Sequence, residues 1–296
     1  MKIAIIGTGV MGTGVGLTLL GKGHQVYCTN RTPQNAQALV DAGAVYCATP
    51  REAAENATHV IILVWNEAAL RVALEGTDGG DGLYAAAGEG RVFIDMSTQL
   101  PATAQEEARE FAARGAQFVD APVHGSRAEA HAGGLWIMVG GEQSAYQAAL
   151  PVLNAIGASV HYMGGVGSGC VAKLCGNHLV SLIVASLGES LAMASKAGID
   201  AYELIKLWGE SDFRSPIIEG AGRSMLAHDF AVSFHLRTMV KDTELIRNYS
   251  ESIGVPVLLS HVVHELNKVA QNHGWGDENA SAIYRLFERM AGITKP

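Results

Sequence analysis

The chain has 296 residues, 48% hydrophobic and 17% charged, which is enough to bury a large core in two domains of ordinary size. A net charge of −8 with scattered basic residues excludes a basic face for nucleic acid, so any anionic ligand must be held by local groups. Four cysteines without a CxxC pair read as buried reduced thiols of a cytoplasmic protein, and no apolar run approaches the eighteen or so residues of a membrane helix, so no membrane partner is expected.

The chain opens on Lys2-Ile3-Ala4-Ile5-Ile6, which passes directly into Gly7-Thr8-Gly9-Val10-Met11-Gly12 and a helical pattern to Leu20. Gly21-Lys22-Gly23-His24 ends that helix, and Gln25–Thr29 reads as the next strand. The result is a βαβ unit of roughly thirty residues. Its glycines allow a tight turn and let a pyrophosphate approach the helix N-terminus. GxGxxG is a weak signal in a chain with 35 glycines, where it can mark a turn that only packs a helix on a sheet. The strand before it and the helix after it make it a dinucleotide fingerprint. Gly7, Gly9, Val10, Met11 and Gly12 are the candidate phosphate-binding residues.

The second strand ends at Asn30-Arg31-Thr32, where the adenine ribose is expected. The acid that pairs with the ribose hydroxyls of NAD is absent, and an arginine there can pair with a 2′-phosphate. Such a hydrogen bond contributes about 1.5–3 kcal/mol, so NADP(H) is expected in preference to NAD(H). The competing possibility is an Arg31 that simply faces solvent.

Further strands are predicted at Val60–Val64, Arg91–Asp95, Phe118–Asp120, Leu135–Val139 and Val160–Tyr162, with helices at Pro33–Ala42, Ala102–Arg114 and Ser144–Ile156 between them. This alternation predicts an α/β fold with a Rossmann-type, doubly wound parallel sheet. Ligands of such sheets lie beyond the carboxyl ends of the strands. Three of those ends are rich in polar or aromatic groups: Val64-Trp65-Asn66, Asp95-Met96-Ser97-Thr98, and Asp120-Ala121-Pro122-Val123-His124-Gly125-Ser126.

After Gly164-Gly165-Val166-Gly167-Ser168-Gly169 only helices are predicted. They are a long apolar one over Cys170–Lys196, then Ala201–Trp208, Ile217–Leu226, Leu236–Ile253, Pro256–Gln271 and Ala280–Met290. The expected division is a dinucleotide-binding domain over 1–163 and an all-helical domain over 164–296 that begins with a long interdomain helix. Helices this apolar often bury surface against a twin subunit, so a homodimer is expected; a self-contained bundle is the alternative.

Hydride transfer to a carbonyl needs a group that gives the oxygen its proton. Lys173 sits among Val171, Ala172, Leu174 and Cys175 on the first turns of the long helix, and Asn177 lies four residues on, on the same face. Desolvation would help Lys173 cycle a proton; a lysine snorkelling from a helix end fits the pattern equally well. His261 and His264 have helical spacing but no third ligand, so no metal is expected.

Taken together, these segments resemble the β-hydroxyacid dehydrogenases, the family of 3-hydroxyisobutyrate dehydrogenase and tartronate semialdehyde reductase. The resemblance rests on the GxGxMG opening, Asp95-Met96-Ser97-Thr98, Asp120-Ala121-Pro122-Val123, the Gly-x-x-x-Lys-x-x-x-Asn pattern at 169–177, Lys241-Asp242, and Gly274-Trp275-Gly276-Asp277 with Ser281-Ala282. Gly125-Ser126-Arg127 and Asn30-Arg31 are similar to the NADPH-dependent glyoxylate and succinic semialdehyde reductase branch. The resemblance implies that Lys173 is the catalytic lysine and Asn177 its helper. It places Val64, Trp65, Thr98 and Lys241 at the nicotinamide end of the cofactor. It gives a small anionic carbonyl or hydroxy acid substrate to His124, Gly125 and Ser126, with Phe234 and Asp242 closing the pocket.

Three departures stand out. His124 replaces the family's usual serine and could carry charge near neutrality. Trp65 replaces a common proline, and Gly14 and Gly16 weaken the first helix. Two other functions compete with an NADP(H)-dependent dehydrogenase. An imine reductase of similar fold generally lacks the lysine, and a non-catalytic nucleotide-binding scaffold has no need of Lys173, Asn177 and Lys241 together.

Overall fold

The computed structural model describes residues 1–77 and 80–293. The chain divides into two compact units, Met1–Lys173 and Leu174–Pro296.

The first unit is built on nine strands: β1 (Lys2–Ile6), β2 (Gln25–Thr29), β3 (Val45–Tyr46), β4 (His59–Ile62), β5 (Val92–Asp95), β6 (Gln117–Asp120), β7 (Val123–His124), β8 (Leu135–Gly141) and β9 (Gly157–Gly164). The central strands are apolar through their middles, at residues 3–6, 60–62 and 92–94, because both faces are covered there. Ile3, Ile5, Cys28, Ile61 and Ile94 pack into one core, while Ala4, Ile6, Val60, Ile62 and Phe93 pack into the other. Phe111, from helix Pro101–Ala113, stacks between Phe93 and Phe118 at centroid distances of 4.0 and 5.7 Å.

From β3 the order runs β2, β1, β4, β5 and β6, all parallel. This confirms the doubly wound sheet, with one difference at its edge. β8 runs antiparallel to β6 and β7, and β9 then pairs parallel to β8. The connection over 125–134 is the reason. A parallel crossover takes about a dozen residues or more, whereas helix Arg127–Ala132 has six and ends on Gly133 in the left-handed conformation, which reverses the chain.

The glycines of the first helix, Val10–Gly21, have a packing reason. A Cβ on Gly14 would lie 2.8 Å from that of Ala130, and one on Gly16 would lie 2.6 Å from Leu39. The predicted helix over 33–42 is a 3-10 turn, Pro33–Ala36, followed by Gln37–Asp41. Cys28, Cys47 and Cys170 are buried thiols, but Cys175 is exposed, contrary to expectation.

Helix Ser168–Lys196 starts in the first unit and continues into the second. By length and composition it could cross a bilayer, which corrects the expectation that no run approaches that length. A buried core helix passes the same test, and 44% of its most apolar stretch is buried. In the second unit, helices Ala201–Trp208, Pro216–Ala227, Leu236–Ser252, Leu258–Ala270 and Tyr284–Met290 follow. They pack with it around Leu191, Met225, Tyr284 and Phe287.

Candidate active site

The three glycines of the opening turn are there for different reasons. Gly7 has φ +98°, and a Cβ on it would lie 2.2 Å from the carbonyl oxygen of Leu63. A Cβ on Gly12 would lie 2.0 Å from the oxygen of Gly7, so the helix can start close against the strand only with glycine there. Beside Gly9 a Cβ would meet nothing within 4 Å. That open space is the room a pyrophosphate needs, and Gly9 caps the helix without a side chain on its first amides. Val10 is exposed and Met11 half-buried on the first turn. The residues present fit a dinucleotide phosphate.

Asn30 is committed to the turn itself. Its Oδ1 accepts the N–H of Thr8 at 3.1 Å and its Nδ2 donates to the Thr32 oxygen at 2.9 Å. It fastens the end of β2 to the glycine loop. Arg31 and Thr32 are exposed, and Arg31 makes no hydrogen bond or ion pair among the described residues.

The next strand ends are braced from below by buried acids. The Val64 N–H donates to Ser97 Oγ at 3.1 Å, and the Ser97 N–H donates to Asp95 Oδ1 at 2.7 Å. Gln99 Nε2 donates to Asp95 Oδ2 at 3.1 Å and to Glu107 Oε2 at 2.7 Å. Burial pushes the Asp95 carboxyl up to about 6. Burial, with the Asp95 charge added, holds Glu107 well above the usual carboxylate range. Above this network Thr98 is half-buried and Trp65 is 51% exposed.

Asp120 performs a similar service for the long helix. Its Oδ1 accepts the N–H of Gly167 at 2.8 Å and its Oδ2 that of Cys170 at 2.9 Å. A strand-end carboxylate thereby satisfies amides at the helix start, where negative charge is favoured. Lys173 follows three residues later, 9% exposed, with Nζ 3.4 Å from His124 Nδ1. Burial, and then the Lys173 charge, lower the His124 pKa to about 4. The ring is therefore neutral at neutral pH, which corrects the expectation that it could be charged there.

Ser126 is turned inward. Its N–H and its Oγ donate to Glu129 Oε2 at 2.6 and 2.7 Å, and these bonds hold the Glu129 carboxyl below its usual range. Both Ser126 donors are thus engaged by the chain's own carboxylate. Glu129 was missed from sequence, although Ser126-Arg127-Ala128-Glu129 has the spacing of a capping box. Gly125 keeps φ +116°, which favours glycine.

In the second unit, Asn177 Nδ2 donates to Asp242 Oδ2 at 2.7 Å, and Lys241 Nζ lies 2.8 Å from Asp242 Oδ1. Asn177 and Asp242 are both buried, so the carboxylate fixes which way the amide faces and leaves the amide oxygen for another partner. Phe234 is half-buried, with its N–H donating to Asn279 Oδ1 at 3.0 Å. His264 is buried against the Thr243 hydroxyl, its Nδ1 at 2.9 Å from Oγ1. Among the described residues no cluster of His, Cys, Asp or Glu is placed to hold a metal ion.

Residues 2–165 match the NAD binding domain of 6-phosphogluconate dehydrogenase, and residues 167–287 match the NAD-binding domain of NADP-dependent 3-hydroxyisobutyrate dehydrogenase. The chain is 29% identical to 2-(hydroxymethyl)glutarate dehydrogenase of Eubacterium barkeri, over 99% of its own length and 97% of that protein's. It is also 29% identical to glyoxylate/succinic semialdehyde reductase 2, chloroplastic, of Arabidopsis thaliana, over 97% of its own length and 80% of the relative's. Among solved structures, 3-hydroxyisobutyrate dehydrogenase from Salmonella typhimurium superposes with a TM-score of 0.86 at 27% identity, covering 96% of this chain and 99% of that one.

Proposed function

Because the chain belongs to the β-hydroxyacid dehydrogenase family of nicotinamide-dependent oxidoreductases, we propose that it is an NADP(H)-preferring reductase of a small semialdehyde or 2-oxo acid, reversible to the hydroxy acid. The observation that carries the reading is Lys173, buried on the helix start that Asp120 holds, one turn before Asn177. Relatives named as reductases and dehydrogenases of such compounds support it.

The glycine turn and the amides of the first helix would hold the pyrophosphate, and Arg31 the 2′-phosphate. When bound, the cofactor supplies hydride to the carbonyl carbon or takes it from the alcohol. Lys173 gives its proton to the carbonyl oxygen during reduction and takes it back in the reverse direction. Burial of its stem keeps bulk water from competing for that proton. Asn177, oriented by Asp242, offers its amide oxygen along the same helix face. An acid group on the substrate reaches the Ser126 donors only in competition with Glu129.

The test is a steady-state panel with NADPH and NADH against glyoxylate, succinic semialdehyde, methylmalonate semialdehyde, tartronate semialdehyde and a cyclic imine. NADPH-dependent turnover of at least one small acid is expected. Lys173→Ala is expected to lose about 10²–10⁴-fold in kcat, the usual worth of a general acid. Near-wild-type turnover by that variant would sink the mechanism, and activity on the imine alone would favour the imine reductase.

A further inference from the structure

We propose that His124 is a positioning residue for Lys173: the ring accepts a lysine N–H at Nδ1 and fixes where the amine points. This rests on the reading of Lys173 as the proton donor.

Both partners are held by backbone before they meet. The strand pair β7–β8 sets His124 opposite Trp136 and Val123 opposite Ile137. The Asp120 carboxylate, four residues before His124, grips the amides of Gly167 and Cys170. One stretch of chain, 120–124, therefore places the imidazole and also the helix turn that carries the lysine. The two nitrogens come to 3.4 Å.

A lysine head left to itself is a poor instrument for directed proton transfer. Its four-carbon stem is flexible and its three protons rotate freely. A buried ammonium also needs acceptors. A neutral imidazole supplies one acceptor at a fixed place, whereas an imidazolium would supply none and would repel the lysine. Burial and the neighbouring Lys173 charge keep the ring in its neutral form. With Nδ1 accepting, the ring proton sits on Nε2. The neutral ring brings no positive charge for a substrate's acid group; its established partner is the lysine.

The test compares His124→Leu, which removes the acceptor at similar bulk, with His124→Asn, whose amide oxygen can stand near the place of Nδ1. Lys173→Ala is run alongside. His124→Leu is expected to lower kcat at least tenfold while cofactor KM stays within twofold. His124→Asn should keep at least a third of wild-type kcat. Should the leucine variant fail to fold, His124→Ala with and without added imidazole takes its place, and imidazole is expected to restore kcat. Three outcomes overturn the proposal: wild-type kcat in folded His124→Leu, equal kcat losses in the Leu and Asn variants, or an effect confined to substrate KM. If Lys173→Ala itself stays active, the underlying reading fails instead.

Discussion

The glycine turn and the 120–129 segment belong to the same unit and meet their chemistry in opposite ways. Around the turn, the groups are left open. Gly9 has nothing beside it, the helix N-terminus lacks a capping side chain, and Arg31 makes no bond among the described residues. Along 120–129 the groups are engaged by the chain itself. Asp120 holds the helix start, His124 meets Lys173, and Ser126 donates twice to Glu129. The open region suits a ligand that many enzymes share. The engaged region is where, on the proposed function, selectivity among substrates would be set.

The largest test of that contrast falls on Arg31. Arg31→Ala is expected to weaken NADPH binding about ten- to a hundredfold, from a phosphate hydrogen bond of about 1.5–3 kcal/mol. NADH binding should not change, as read by fluorescence titration. Equal losses for both cofactors would mean that the turn, and not Arg31, distinguishes them.

Glu129 sharpens the other side. Glu129→Gln keeps an oxygen for the Ser126 N–H and removes the charge. Repulsion of about 1 kcal/mol between charges in a wet setting predicts that KM for a carboxylated substrate falls about fivefold. KM for an uncharged aldehyde of similar length should not move. An unchanged ratio between the two would show that the acid group never meets Glu129.

The smallest effect concerns stability. Asp95 and Glu107 titrate above ordinary carboxylates in the fold, so the folded state holds their protons more tightly than the unfolded chain. Their favourable contribution is complete below the unfolded carboxylate range of about 4 and is lost as pH rises through the folded values. His124 works in the other direction: its penalty appears as pH falls from 6.5 toward about 4. Glu107→Gln mimics the protonated acid, so its melting temperature should rise relative to wild type between pH 4 and 8. A difference independent of pH would mean that Glu107 is ionised in the fold.

Much of the fold was legible because long periodic segments carry their own signal. Helix Ala201–Trp208 and strand β2 lie where the pattern put them. β3 and β7 were not legible, because two residues have no period. The antiparallel turn of β8 depends on the length of a connection that looked like one more crossover. Glu107 stands between Glu106 and Glu110, and only packing shows it to be buried. The neutrality of His124 follows from what lies next to it in space, which spacing along the chain does not reveal. Ser126 and Glu129 have a readable cue in their capping spacing.

Asp120 has a consequence for the order of folding. Its two amide partners lie 47 and 50 residues further along the chain, so both contacts must wait for a long loop to close. The helix around Lys173 can wind early on local bonds alone. At that stage its reactive nitrogen has no fixed address. The address comes only when the end of β6 arrives, so the chain becomes competent for chemistry through tertiary assembly and not through helix formation.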